Sequence, residues 1–230
     1  MDDISQLATQ FNSSSDKDKL KLVPKLIDSG NSGWEILIEF LKSSSSESPN
    51  LVAGKVYQEL IAAQTTGTQE LVEKYLKNGI VTLKSAADID YQTLEKLLIQ
   101  KDFQAADSLT RAKLCELAGS DAIARKWLYF TEVDKIPGTD LQTIDRLWWV
   151  YSEGKFGFAV QRKLWLGVGK DFSQLWQKIG WKNDNNWTRY PQEFTWDLNA
   201  PTGHLPLLNQ LRGVRVITSL FSHPVWSQNL

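Results

Sequence analysis

The sequence predicts an all-α protein in two helical parts, and three observations predict it. Apolar residues recur at helical spacing in one segment after another, and the segments stop at Gly, Pro or Ser clusters. Very little of the chain shows the strict apolar–polar alternation that a half-buried strand requires. Residue usage then divides the chain. Of 10 tryptophans only Trp34 lies in the first half. Every arginine (Arg111, Arg125, Arg146, Arg162, Arg189, Arg212, Arg215) lies beyond residue 110, whereas the first 84 residues carry Lys as their only cation. The expected parts are an N-terminal helical bundle over 1–80 and a larger helical core over 84–230.

Taken in order, residues 3–11 read as a short helix. Residues 15–28 read as a second, with Leu20, Val23 and Ile27 on one face, Leu22 and Leu26 beside it, Pro24 as a kink and Gly30 as the stop. Residues 33–42 make a third, and Ser43–Ser46 a flexible connection. After Pro49 the set Val52, Val56 and Leu60 predicts a fourth, and Thr68 is placed as the cap of a fifth that runs to Gly79. No strict repeat is visible, so a bundle is expected rather than a solenoid. Residues 79–87 form the boundary. Asp90 is placed as the cap of the next helix, and a helical hairpin follows that ends at Gly119. An apolar connection through Trp127, Leu128, Tyr129 and Phe130 leads to Pro137, after which Leu141, Ile144, Leu147 and Trp148 are core-spaced. Two shorter helices run to Gly180.

Composition excludes several classes of function. At 230 residues with net charge −1 there is no global field to draw in nucleic acid. The lone Cys115 sits in an apolar helical pattern and reads as a small core residue. His204 and His223 lack ligand spacing, so neither zinc nor bis-histidine haem is indicated. No run of apolar residues reaches the ~18 needed to span a bilayer. The acidic N-terminus resembles neither a signal nor a transit peptide. Gly167–Lys170 (GVGK) lacks P-loop spacing, and no catalytic constellation is found.

The costly chemistry is concentrated between Gly180 and Phe221. Its first half is a loop in which Trp181, Trp187, Tyr190, Phe194 and Trp196 are separated by Asn, Asp and Pro residues, so these rings are expected to be exposed on irregular backbone. With so many breakers, the loop is expected to order only around a ligand. The second half is expected to be a helix from Pro206, burying Leu207, Leu211, Val214, Thr218 and Phe221 and presenting Leu208, Asn209, Arg212 and Arg215 on the opposite face. Between Leu198 and Leu230 those two arginines are the only formal charges. A pair of planar donors beside exposed aromatics suits a flat apolar ligand carrying carboxylates. The alternative is that each finds an acid of the fold, such as Asp184, Glu193 or Asp197.

The runs IDYQTLEKLL with DFQAADSLTRAKLCELAG, then LQTIDRLWWVYSEGKFGFAVQRKLW, then GHLPLLNQL resemble the Genomes Uncoupled Four family of oxygenic phototrophs. The resemblance covers about Ile89 to Phe221. It implies an all-helical core shaped like a cupped hand that binds protoporphyrin IX and magnesium protoporphyrin IX, has no intrinsic cofactor, and stimulates magnesium chelatase in chlorophyll synthesis without being an enzyme. The implied partner is the chelatase's large porphyrin-binding subunit, and the implied state a monomer, cytoplasmic or peripheral at photosynthetic membranes. In the cyanobacterial type a helical bundle precedes the core, similar to residues 1–80. Trp187, Tyr190, Phe194, Trp196 and Leu208 would supply aromatic and apolar surface, and Arg212 and Arg215 would meet the propionates. Asn209 would approach a bound metal. The family pattern carries an aromatic, often Trp, where Tyr190 stands.

Two other classes are weighed. A carbohydrate-active enzyme would explain a Trp-rich cleft, with Glu193 and Asp197 as its carboxylates. A helical protein-interaction scaffold without a small-molecule ligand would explain the helix pairs.

Overall fold

The computed structural model describes residues 2–43, 50–76, 79–208 and 213–227. It is all-α apart from one two-stranded sheet, and it divides into two compact units, Met1–Thr82 and Leu83–Leu230. The expected connection after Ser43, with Pro49, lies outside the described residues, as do Leu211, Asn209 and Arg212.

Five helices build the first unit: α1 (Asp2–Ser13), α2 (Asp16–Asp28), α3 (Asn31–Ser43), α4 (Leu51–Ala62) and α5 (Thr66–Tyr75). Helix α4 is its centre, packed against α2, α3 and α5 and burying Val52, Val56 and Leu60. Of the expected apolar set of α2, Leu22, Val23 and Leu26 are buried and Leu20 and Ile27 half-buried. A Cβ at Gly33 would stand 1.9 Å from the Leu26 carbonyl oxygen. The backbones of α2 and α3 therefore meet at that glycine. The expected cap of α5 moves by one turn. Thr65 is the N-cap, and Thr65 and Thr68 each accept the other's backbone N–H at 3.2 Å.

The second unit holds α6 (Gln92–Ile99), α7 (Phe103–Ala118), α8 (Ser120–Arg125), α9 (Phe130–Val133), α10 (Gly138–Tyr151), α11 (Phe158–Gly167), α12 (Phe172–Lys178), α13 (Arg215–Ser222) and a closing 3-10 turn at Pro224–Ser227. Helix α10 runs through the core. Its Trp148 is fully buried, donates Nε1–H to Thr110 Oγ1 at 2.9 Å and stacks on Phe103. Buried Asp140 accepts from the Tyr91 hydroxyl (2.8 Å), the Ser85 hydroxyl and the Ala86 N–H (2.9 Å), so the entering strand of chain is tied to α10. Tyr91 occupies the N-cap position of α6, while Asp90 accepts the Gln92 N–H at 2.9 Å.

Two expectations for residues 180–221 are corrected. The helix expected from Pro206 is not formed at residues 206–208, and α13 begins at Arg215. Residues 201–208 are irregular, the peptide bond before Pro206 is cis, and Gly213 has φ +82°. The spacing of Leu207 and Val214 mimics a helix, but Leu207 N–H is claimed by Asp107, and a left-handed Gly213 cannot lie in a right-handed helix. The buried face of α13 is Val216, Ile217, Leu220 and Phe221, while Val214 is exposed. In the loop, β1 (Lys182–Asn183) and β2 (Asn186–Trp187) pair antiparallel around Asp184, whose φ of +52° suits a tight hairpin turn.

Candidate functional site

The aromatic loop is held from within by one histidine. His204 is buried; its Nδ1 donates to the Ile179 carbonyl at 2.6 Å, and its Nε2 accepts the Thr195 N–H at 3.3 Å. Those two partners fix a neutral ring with the proton on Nδ1, and burial lowers its pKa in the same sense. The His204 carbonyl accepts Trp181 Nε1–H at 2.7 Å, and Phe194 lies 5.1 Å from its ring. The loop, for all its breakers, thus makes hydrogen bonds of its own. Thr188 N–H also returns to the Trp181 carbonyl at 3.1 Å, and Trp196 Nε1–H to the Pro191 carbonyl at 2.9 Å.

The rings of this loop fall into two groups. Trp181 is fully buried, not exposed as expected, and stacks on Trp176 with centroids 5.1 Å apart and planes 9° from parallel. Trp187, 40% exposed, leans on Trp176 at 6.1 Å and faces Lys182 across the hairpin. Tyr190, Phe194 and Trp196 form the second group, at 5.8 to 6.2 Å. Tyr190 is exposed, Trp196 half-buried and Phe194 buried. Leu208, expected on an open helix face, is buried as well.

Arg215 is set apart from both groups. It is exposed, and its guanidinium lies over the ring of Phe130, 5.4 Å from the centroid. Among the described residues it makes no ion pair. Two of the acids offered as its alternative partners are engaged locally: Glu193 with Arg189, and Asp197 with the Asn199 N–H. A cation in the first turn of a helix opposes the helix dipole at about 0.3–1 kcal/mol, so Arg215 is not there for the stability of α13.

Two more arginines lie over rings. Arg125 donates from Nη2 to both carboxylate oxygens of Glu132 (2.6 and 2.7 Å) and lies over Tyr129 at 4.3 Å and Trp127 at 5.2 Å. Arg111 lies over Tyr190 at 4.7 Å. Ile123, Tyr129, Phe130 and Val214 are the other large exposed apolar side chains of this region. Among the described residues no group of His, Cys, Asp and Glu could hold a metal ion.

Comparison with known proteins now bears on this arrangement. A model described as GUN4-like matches residues 84–224, and an ARM-like repeat domain, GUN4-N terminal, matches residues 1–77. The chain belongs to the GUN4 family. Its relatives include a Ycf53-like protein of Synechocystis sp., 53% identical over 99% of this chain and 98% of that protein. They also include the tetrapyrrole-binding protein, chloroplastic, of Arabidopsis thaliana, 40% identical over 60% of this chain and 55% of that protein. GUN4 from Chlamydomonas reinhardtii superposes with a TM-score of 0.60 at 39% identity, over 64% of this chain and 94% of that one. Ligand-free Arabidopsis thaliana GUN4 gives 0.56 at 41% identity, over 60% and 98%.

All the candidate residues of this GUN4-family chain lie inside the segment matched by the GUN4-like model. Two surfaces of the arrangement were not singled out in the sequence as part of a site. Tyr129 and Phe130 read there as an apolar connection; their signal was a run of four apolar residues, Trp127–Phe130, too long for a simple turn. Arg111 gave no signal, because its ring partner lies 79 residues away.

Proposed function

We propose that the chain binds protoporphyrin IX and magnesium protoporphyrin IX in its larger unit and stimulates magnesium chelatase in chlorophyll synthesis, as a regulator that catalyses no step itself. The observation that carries this reading is Arg215: an arginine without an acid partner among the described residues, in the first turn of a helix, lying over the exposed ring of Phe130. A porphyrin presents broad apolar faces and two propionates on one edge. Exposed rings at Phe130, Tyr129, Trp187 and Tyr190 offer surface for the faces, and Arg215, with Arg212 three residues earlier in the chain, offers forks for the carboxylates. Each aromatic side chain buried against the disc contributes a few kcal/mol, from about 25 cal/mol per Å² over about 150 Å² or more. The printed name of the Arabidopsis relative, a tetrapyrrole-binding protein, supports the same class of ligand. In this reading Phe194 and Trp196 support the exposed ring of Tyr190, and Leu208 adds apolar bulk. The partner in this reading is the chelatase's large porphyrin-binding subunit, met in the cytoplasm or at the surface of photosynthetic membranes.

Titration with metal-free and magnesium porphyrins, read by tryptophan quenching, tests the ligand. Arg215→Ala and Arg212→Ala are expected to weaken binding by about 1–3 kcal/mol each, roughly five- to a hundredfold, with the melting temperature unchanged or, for Arg215→Ala, slightly raised. A porphyrin with both propionates esterified should bind poorly and be indifferent to either change. The chelatase rate with and without the chain tests the stimulation. A helical interaction scaffold is the second reading, favoured by the ARM-like repeat match over 1–77. It requires that porphyrin leave the tryptophan emission untouched.

A further inference from the structure

One turn of α7 touches both edges of the candidate surface. The Asp107 carboxylate is fully buried, and its Oδ1 accepts the Leu207 N–H at 2.6 Å, which holds the chain at Leu207. Arg111, one turn on, places Nη2 3.2 Å from Asp107 Oδ2 and donates from the same nitrogen to the Tyr190 hydroxyl at 2.6 Å. The Ser108 hydroxyl lies 3.2 Å from that of Tyr190. The aromatic loop at Tyr190 and the segment at Leu207, 17 residues apart in the chain, thus end on three residues of one helix, Asp107, Ser108 and Arg111.

We infer that Arg111 is a positioning residue of this site: by bridging the Asp107 carboxylate and the Tyr190 hydroxyl, it fixes the ring surface at Tyr190 relative to the segment at Leu207. This inference rests on the porphyrin reading for its consequence, though not for its geometry. The bridge depends on a planar donor. The flat guanidinium lies over the Tyr190 ring while its Nη2 pairs with the acid, whereas a lysine ammonium is a point charge on a flexible stem with no flat face to stack. It also depends on the phenol, since a tryptophan here would offer no hydroxyl to hold. The ligand spans two loops, so a loop that wanders must be ordered again at each binding event, and affinity falls although no contact to the ligand is removed.

The test is a double-mutant cycle in the full chain with Arg111→Lys and Tyr190→Phe, which keep the charge and the ring. Hydrogen exchange of the amides of residues 189–198 is measured first, without ligand, and both variants should speed it there while leaving α10 unchanged. Protoporphyrin IX affinity is then expected to fall about three- to tenfold in each single variant, and no further in the double variant, because one bridge is lost in every case. Unchanged exchange overturns the inference, as does an unchanged affinity or a double loss equal to the product of the single losses. Should the wild type bind no porphyrin, the functional reading fails, and the exchange result still decides whether Arg111 holds the loop. Ser108→Ala, which alters neither charge nor ring, is the control that should fold in every case and shift exchange least.

Discussion

Asp107 shows at the scale of one residue how burial competes with pairing. Burial pushes its pKa up to about 6, against the opposing pull of Arg111 and the Leu207 N–H. The folded chain therefore keeps this proton up to about pH 6, while an unfolded chain releases it near 4. Folding is favoured by the protonated form, and the contribution is lost as pH rises through that window, by about 2–3 kcal/mol in all. Asp145, raised to about 6 by burial, acts in the same direction. Asp107→Asn keeps an acceptor for Leu207 N–H and removes the titration. Melting temperatures from pH 4 to 7.5 should accordingly fall less steeply in that variant than in the wild type. An unchanged slope would mean that Asp107 titrates as it does in the unfolded chain.

The element whose character depends most on a single buried group is the loop between α12 and α13. His204 joins Ile179, Thr195 and Trp181 to itself through three hydrogen bonds, and Gly180 has its backbone close by, where a Cβ would stand 3.4 Å from His204 Nδ1. Because burial depresses its pKa, the unfolded chain binds a proton that the folded chain refuses. Stability from this residue is present above the ordinary imidazole pKa, near 6.5, and is lost as pH falls below it, opposite in sign to Asp107. His204→Phe preserves the ring contact with Phe194 but leaves the Ile179 carbonyl and the Thr195 N–H without a partner. The expected cost is about 1–3 kcal/mol, with a loss of the near-ultraviolet signal of the stacked Trp176 and Trp181. A variant as stable as the wild type at neutral pH would show that the loop closes without this hub.

For the molecule as a whole, each unit carries its own core: Leu26, Leu37 and Leu60 in the first, Trp148, Tyr151 and Phe156 in the second. Every candidate ligand contact belongs to the second. We expect residues 84–230 to fold alone and to bind porphyrin within about tenfold of the full chain, as circular dichroism and titration of the isolated fragment would record. A soluble, helical fragment that binds much more weakly would assign part of the site to residues 1–80. No described helix is long and apolar enough to cross a membrane.

Helical class, the order of the elements and the family were legible in the sequence, because each rests on local spacing: Val52, Val56 and Leu60 must share a face wherever they pack, and the family motifs lie in unbroken runs. Register and burial were not. Leu207 and Val214 keep helical spacing, yet Asp107, 100 residues earlier, holds the Leu207 N–H, and Gly213 turns the chain out of the helix. Trp181 and Phe194 stand among polar residues in the sequence and are buried, because His204 draws its own loop inward. Arg215 drew notice as a charge in an uncharged stretch, a property of sequence alone; that it lies over Phe130, and that Arg111 lies over Tyr190, was decided by tertiary structure. Spacing reports which residues share an element. Which distant donor meets which acceptor is settled only when the helices have packed and each buried polar group has found its partner.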